Sequence, residues 1–411
     1  MKILDPLKIR QDFPMYRHDS LFEGRPLVYL DNAATTFKPY SVIKEGDRYY
    51  EDITANAHRG DYSLAHEVDV AYEGARKEVA GFINADVDEV CFTSGDSMGM
   101  NEIAYGLLPL LKTGDEILLT FAEHASNVLP WYQVAKLTGA VVKFIPLDKE
   151  GRVTIDNFKS VLSNKTKIVS LASVTNVLGF LLPVKELCAL AHSVGAIYVA
   201  DGAQSVPHHK TDVKDLDIDF LAFSGHKMLG PTGIGVMYGK KKLLEKMNPL
   251  FFGGEMNARF DSCGYVSLSD VPLKFEAGTQ NISGAMGLGK ACLYIQKIGF
   301  DAIEEHELKL KKMAVEGILS NGNATIYNQN CEGGIITFNI DKVFAQDAAS
   351  YLGSKGVFVR SGQHCAKILP EFLNTQATLR ASLYIYNTED DVKALIEACK
   401  HAEDFLDVFF N

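Results

Sequence analysis

At 411 residues the chain exceeds the size at which one hydrophobic core usually stops growing, so two domains are expected. Hydrophobic residues make up 47% and charged ones 23%, an ordinary globular balance that leaves little room for long disorder. The formal net charge of −11 argues against a nucleic-acid or anionic-membrane binder, while allowing a local cationic pocket for a small anion.

No apolar run approaches the roughly 18 to 20 residues of a membrane span, and the start "MKILDPLKIRQDFP" has no signal-peptide core. Seven cysteines without a C-x-x-C pair suit free thiols in a reducing compartment better than disulfides or a zinc ribbon. The expectation is a cytoplasmic protein that acts on a small molecule, with no nucleic acid, membrane or metal site.

Residues 1–24 read as an N-terminal arm. From Val28 to about Tyr238, short apolar runs alternate with amphipathic segments. The runs are Glu89–Thr93, Glu116–Thr120, Val141–Pro146, Lys167–Ser173, Ala196–Ala200, Asp219–Ser224 and Gly233–Gly239, and they predict a mostly parallel sheet. Between them Val68, Ala71, Ala75, Val79 and Phe82 recur at helical spacing, and "VKELCALAHSVG" ends at a capping Gly195. Alternating strand and helix imply an α/β domain over residues 25–282. Beyond it the pattern predicts helices over Ala285–Ile298 and Asp301–Ser320, a strand at Gly333–Ile340 and a helix near Gln346–Gly353. A loop follows over Val359–Phe372, then a last helix over Thr388–Phe409, so residues 283–411 read as a smaller α+β domain.

In an open parallel sheet the ligand lies beyond the carboxyl ends of the strands, where this chain puts "TSGDSMGMN", "AEHASN", "SVTN", "DGAQ" and "SGHK". The first is a strand-to-helix turn whose free N–H groups and Ser97 hydroxyl suit an anion, although an ordinary helix cap by Asp96 or Ser97 explains the same residues. Asp201 ends an apolar strand, where a carboxylate requires a cationic or N–H partner. Lys227 ends the next one, where burial or a cationic neighbour lets a lysine lose its proton and bond an aldehyde. Ser224 and His226 can donate to an anion beside it. Pyridoxal phosphate would use all of these: the N–H turn, Ser224 and His226 for its phosphate, Lys227 for its aldehyde, Asp201 for its ring nitrogen. His124 could stack on the ring, or be an ordinary satisfied histidine. Among the cysteines, Cys365 stands out because it follows Arg360 and His364 on a Gly-containing loop, a setting that suits a reactive thiol.

Nine stretches in order, "YLDNAATT", "AHRG", "EHASN", "VTNVLG", "DGAQSVPHH", "FSGHKMLGPTGIGVMYG", "FEAGTQN", "VRSGQHCA" and "RASLYIYNT", resemble the fold-type I pyridoxal phosphate enzymes of the class V aminotransferase group. Within it they resemble the group II cysteine desulfurases of the Suf pathway, related to selenocysteine lyases. The resemblance implies a mostly parallel central sheet flanked by helices, with a smaller α+β C-terminal domain. It implies that Lys227 forms the Schiff base, that Asp201 partners the ring nitrogen, that Gln204 donates to the ring's phenolic oxygen and that His124 stacks. Ser97, Ser224 and His226 match phosphate contacts, and Thr279 matches a threonine that reaches the neighbouring subunit's phosphate, which implies a homodimer. Asn176 and Arg380 match groups that bind the substrate carboxylate. Ala33 and Ala34 match the turn lining the substrate end, and His58, Arg59, Arg360 and His364 the polar surroundings of the substrate and Cys365.

The implied reaction converts L-cysteine to L-alanine and leaves a persulfide on Cys365 for transfer to a sulfur acceptor, as in iron–sulfur cluster assembly. The alternatives are L-selenocysteine cleavage or another class V reaction. Four positions depart from the family pattern. Ser94 and Asp96 stand where many relatives carry Arg and Thr; an Asp96 that caps the helix would face away from the phosphate, while one facing inward would weaken cofactor binding. Gln363 replaces a second histidine beside His364. Gln346 stands where relatives served by a zinc-containing acceptor tend to carry histidine, which favours a SufE-like acceptor.

Overall fold

A computed structural model describes residues 4–17, 21–58, 60–256 and 259–406. The seven apolar runs form one sheet: β1 (Val90–Thr93), β2 (Glu116–Thr120), β3 (Val141–Ile145), β4 (Thr166–Ala172), β5 (Ile197–Asp201), β6 (Phe220–Ser224) and β7 (Gly235–Gly239). They lie in the order β1-β7-β6-β5-β4-β2-β3. β2 runs parallel to β3 and β4, as do β4 to β5 and β5 to β6, and only β7 is antiparallel to its neighbours.

Helices cover both faces: α1 (Tyr40–Glu51), α2 (Ser63–Ile83), α3 (Asp96–Gly106), α4 (Leu129–Thr138), α5 (Ile155–Val161), α6 (Val184–Ser193) and α7 (Ile282–Ile298). Adjacent strand residues point to opposite faces, so Leu118 and Leu221 join the core under α2, α6 and α7, while Leu119, Phe220 and Ala222 join the core under α3 and α4. This explains why β2, β6 and β7 read as continuous apolar runs: every residue in them is buried. The predicted α2 stripe packs as expected, with Val68, Ala75, Val79 and Phe82 buried. Gly195 takes the left-handed conformation (φ 76°) just past α6.

The smaller unit has the strands β8 (Ala324–Ile326), β9 (Ile335–Ile340), β10 (Arg360–Gly362) and β11 (Thr378–Ser382), antiparallel in the order β8-β9-β11-β10. Its helices are α8 (Phe300–Ser320), α9 (Ala345–Ser354) and α10 (Glu389–Lys400). β10 lies inside the segment predicted to be a loop. α10 begins at a Thr388–Asp391 capping box and stops at Lys400, short of the predicted Phe409, which lies outside the described residues.

Packing divides the chain differently from the texture of the sequence. α7 buries Ile282, Ala285, Leu288, Cys292 and Ile295 in the large core, whereas Leu310, Ala314 and Ile318 of α8 enter the small one. Ile303 near the start of α8 also joins the large core, so the change of core falls within α8, between Ile303 and Leu310. Near the other end, Val28–Tyr29 pairs in parallel with Val357–Phe358, and Val28 and Leu30 belong to the small core. The N-terminal arm lies across both units: Phe13 enters the large core, while Arg10 donates to the Tyr386 carbonyl (2.8 Å) and pairs with Asp391.

One buried ion pair fastens the loop that carries Thr279. Arg76 on α2 donates to both carboxylate oxygens of Glu276 (2.6 and 2.9 Å), which also accept the Phe92 N–H (2.8 Å) and the Tyr72 hydroxyl (2.9 Å). Arg76 and Glu276 are both almost wholly buried. Such a pair adds little net stability over an apolar replacement, but removing one partner strands a charge. Arg76→Met is accordingly expected to cost about 3–5 kcal/mol, read as a lowered midpoint in urea unfolding.

Candidate active site

The carboxyl ends of five strands meet around a recess lined by Asp96, His124, Ala172, Asn176, Asp201, Gln204 and Lys227 among others. At its floor β6 turns sharply. The register sets Gly235 opposite both Ser224 and Thr93, and a side chain on Gly235 would begin 2.5 Å from the Gly95 Cα and 2.6 Å from the Phe223 carbonyl. Gly95, at φ 153° and ψ 176°, occupies a region open essentially to glycine alone. These two glycines let the turn before α3 lie directly against the lysine loop, and the Asp96 N–H then donates to the Ser224 hydroxyl (2.8 Å).

The peptide carbonyl before Lys227 is fixed from below. The His226 oxygen accepts from the Thr36 N–H (3.0 Å), the Thr35 and Thr36 hydroxyls (3.1 Å each) and Lys38 Nζ (2.9 Å). Burial pushes the Lys38 amine down to about 8. Lys38 carries no periodic signal and was invisible in the sequence, although it lies two residues past the "YLDNAATT" motif.

Asp201 Oδ1 accepts the Ala203 N–H (2.9 Å), leaving the second oxygen of this buried carboxylate for a ligand. Gln204 donates to the Ala33 carbonyl (2.8 Å), and the Ala33 N–H donates to the Ser382 hydroxyl (2.9 Å), so Ala33 and Ala34 form a turn held between the two units. His124 Nδ1 accepts the Ser126 N–H (3.1 Å), and the Ser126 hydroxyl bonds Ser97 Oγ (2.6 Å). Behind this turn the buried Glu123 accepts from Thr120 (2.7 Å), Asn127 (2.8 Å) and the Ala172 N–H (2.9 Å).

Asp96 resolves one open point of the sequence reading. It does not cap α3, whose N-cap is Gly95; its side chain is buried and lines the recess. Burial pushes its carboxyl well above the usual range, the Asp201 charge adds to this, and Lys227 opposes it. Burial likewise raises Asp201 against the Ala203 N–H and Lys227, and lowers Lys227 against Asp96 and Asp201. A desolvated amine close to losing its proton is the state required of a lysine that bonds an aldehyde.

At the mouth of the recess stand two arginines. Arg360 on β10 and Arg380 on β11 are register partners, so both side chains project on one face. Arg380 donates to the Asn176 carbonyl (2.8 Å) and reaches Asp31 (3.3 Å), a counter-ion that sequence reasoning missed although it lies within a quoted motif. Burial lowers Arg380 to about 10. The loop beyond β10 then carries two consecutive residues in the left-handed conformation, His364 (φ 51°) and Cys365 (φ 58°). Such a conformation costs about 1–2 kcal/mol per non-glycine residue, so it persists only where neighbours impose it. Here Asn176 Nδ2 donates to the His364 carbonyl (2.8 Å) and the Ala125 N–H to the Cys365 carbonyl (2.8 Å), leaving the Cys365 side chain exposed.

Other expected residues lie elsewhere. His58 faces Glu73 (3.3 Å) and Asp69 (3.8 Å) of α2 instead of lining the lysine recess, and its partner Glu73 raises its imidazole. Thr279 is exposed and lines a separate cleft with Ser94 and Gly233. Arg59 lies outside the described residues.

The fold and site define an α/β enzyme of the fold-type I class, with a strand-end lysine and acid in one recess. The chain belongs to the aminotransferase class-V family, whose model matches residues 28–395. It is 45% identical over 403 residues to a probable cysteine desulfurase of Halalkalibacterium halodurans, covering 97% of this chain and 98% of that protein. It is 42% identical to one from Staphylococcus epidermidis, covering 99% and 98%. Among solved structures, it superposes on a cysteine desulfurase of Thermococcus onnurineus with a TM-score of 0.92 at 36% identity, covering 98% of each chain. On CsdA of Escherichia coli, named a cysteine desulfurase, the TM-score is 0.90 at 34% identity, covering 98% of this chain and 99% of that one.

The cofactor is pyridoxal phosphate, and the recess fits it. Four buried polar atoms that lack a protein partner lie at the site: Asp96 Oδ1, Asn176 Oδ1, His364 Nδ1 and Arg380 Nε. Unmet buried groups in such a cluster mark where a polar ligand belongs.

Burial depresses three imidazoles of the site, His124 and His226 to about 4 and His364 to about 3. Burial holds His364 in its neutral form, with Nε2 engaged by the Thr378 carbonyl (3.1 Å) and hydroxyl (2.9 Å). Between about pH 4 and 6.5 the unfolded chain binds more protons at these histidines than the folded one, so their contribution to stability falls as pH falls. Unfolding measured across that window is expected to show a shallower acid loss for His364→Gln than for the wild type.

Proposed function

We propose that this protein converts L-cysteine to L-alanine and places the sulfur on Cys365 as a persulfide. The observation that carries the reading is the pinned left-handed loop, which sets an exposed thiol at the mouth of a recess holding a desolvated lysine. Lys227 holds the cofactor, Asp201 its ring nitrogen, Gln204 its phenolic oxygen, and Ser97, Ser224 and His226 its phosphate. Thr279, exposed on its own chain, would serve the other subunit of a homodimer. The neutral His124 ring covers the cofactor. Bound there, the cofactor supplies an electron sink for chemistry at the substrate α-carbon.

Arg380 and Asn176 hold the substrate carboxylate: the guanidinium offers its free Nε and the amide completes a fixed frame. Asp31 keeps Arg380 oriented, Arg360 adds charge at the rim, and the Ala33–Ala34 turn borders the substrate end. Released from the cofactor, the Lys227 amine is neutral and can take the α-proton, because burial disfavours its ammonium form. Cys365 Sγ, having given up its proton, attacks the substrate sulfur; a sulfur–sulfur bond forms as the carbon–sulfur bond breaks with its electron pair left on the β-carbon, and a proton taken up there gives alanine.

Lys227→Ala is expected to lose both the visible absorbance of lysine-bound cofactor and alanine formation. Mass spectrometry after L-cysteine should find one added sulfur on Cys365 in the wild type, and none would overturn the reading. Cys365→Ala separates the selenocysteine alternative: lost cysteine turnover with retained selenocysteine turnover marks a desulfurase that also cleaves selenocysteine, while cysteine turnover unchanged by the substitution excludes the persulfide route.

The persulfide passes to an acceptor of the SufE-like kind in the cytoplasm. Among the described residues no helix is long and apolar enough to cross a membrane. Gln346 is exposed in the first turn of α9, which packs beside β10, the strand that leads to Cys365. At that turn Gln346 and the exposed Phe344 offer no ligand to a zinc ion. A zinc-containing acceptor is expected to leave turnover unchanged; strong stimulation by one that persists in Gln346→Ala would refute this.

A further inference from the structure

Asp96 is the one buried carboxyl of the recess that the reaction above does not use. It is 95% buried with only 5% of its surface exposed, its Oδ1 has no partner, and it lines the same recess as Asp201, His124 and Lys227. Its own N–H is committed to Ser224 and its helix is capped by Gly95, so its side chain performs no local structural task. A bare carboxylate in such a place is costly, and a bound phosphate would add a second negative charge beside it.

The two acids differ in what holds their ionised form. Asp201 receives the Ala203 N–H, which favours its carboxylate, whereas Asp96 Oδ1 receives nothing. We propose that Asp96 is the proton-carrying acid of the cofactor recess: it keeps its proton, and so stays neutral beside the bound anion. The groups that face Asp96 leave it as the proton holder: the Ala203 N–H favours the Asp201 carboxylate, the His124 ring takes its N–H contact at Nδ1, and Arg360 and Arg380 act on Lys227 from the small unit, favouring its neutral form. Burial and the Asp201 charge both push the Asp96 carboxyl up, in agreement with a neutral acid. The inward-facing acid is therefore compatible with cofactor binding up to its own ionisation, and opposes binding above it.

The proposal rests on Lys227 as the cofactor-bearing residue, and the test separates the two. Cofactor is removed, and pyridoxal phosphate is titrated back into apo-protein of the wild type, Asp96→Asn and Asp96→Ser between about pH 6 and 9, a range that spans the raised values known for buried carboxyls. The expected result is equal affinity of wild type and Asp96→Asn at the acid end. Wild-type affinity then falls more steeply, by up to about tenfold per pH unit, since one proton is linked to binding. Asp96→Ser should follow the slope of Asp96→Asn. Melting of the apo-proteins gives a second readout: a carboxyl raised in the folded state weakens the fold as pH rises above its unfolded value, so both variants should gain on the wild type toward high pH. Parallel binding curves for all three proteins would overturn the role of Asp96. Persistence of the visible cofactor band in Lys227→Ala would overturn the lysine assignment instead.

Discussion

The constraint on which the site depends is the placement of one amine, Lys227, in a desolvated recess that already holds two carboxyls. The strands that deliver these residues are apolar and buried almost throughout, and β5 and β6 end in the polar Asp201 and Ser224 at the edge of the core. Charge balance then has to be achieved among Lys227, Asp201 and Asp96 themselves, with the arginines of the small unit tilting Lys227 toward its neutral form. The same arrangement that makes the amine reactive makes the recess intolerant of an additional fixed charge. The histidines obey this rule: all three nearby imidazoles are held neutral by burial.

Backbone geometry supports that electrostatic arrangement at close range. The His226 carbonyl is held by donors from the Thr35–Lys38 segment, and this segment is joined to the small unit through Ala33, Ser382 and the Asn32–Asn387 contact (3.0 Å). The lysine loop, the turn at the substrate end and the strand carrying Arg380 are thus one hydrogen-bonded frame. Arg380 and the Cys365 loop are both tied to Asn176, a strand-end residue of the large sheet, which holds the two in register with the lysine recess.

Much of this was legible in the sequence. All seven strands of the large sheet were readable because a strand buried on both faces is a short apolar run bounded by polar turns, and the strand-end loops named the lysine, the acid and the anion turn. Contacts between distant segments were not legible. Nothing at Asp31 or Lys38 announces a partner in space, and the membership of α7 in the large core depends on which surface meets its apolar face, not on its own pattern. β10 went unseen because three residues containing Arg360 and Gly362 carry no strand periodicity. Asp96 was read as a helix cap or an inward acid because both share the same local signature; only the Gly95 conformation, which makes glycine the cap, decides between them.

The left-handed pair at His364 and Cys365 shows how the frame turns local cost into function. Two unfavourable residues in succession would relax in a free loop, so the conformation exists because Asn176 grips the carbonyl of the peptide that joins them and Ala125 that of the next peptide. Those grips come from strand-end loops of the large sheet, the same loops that line the lysine recess. The position of the thiol is consequently set by the recess itself rather than by the small unit that carries it in sequence. Its side chain is left without a partner grip, exposed at the surface, which is the freedom a sulfur requires if it must first reach inward to a substrate and then outward to an acceptor.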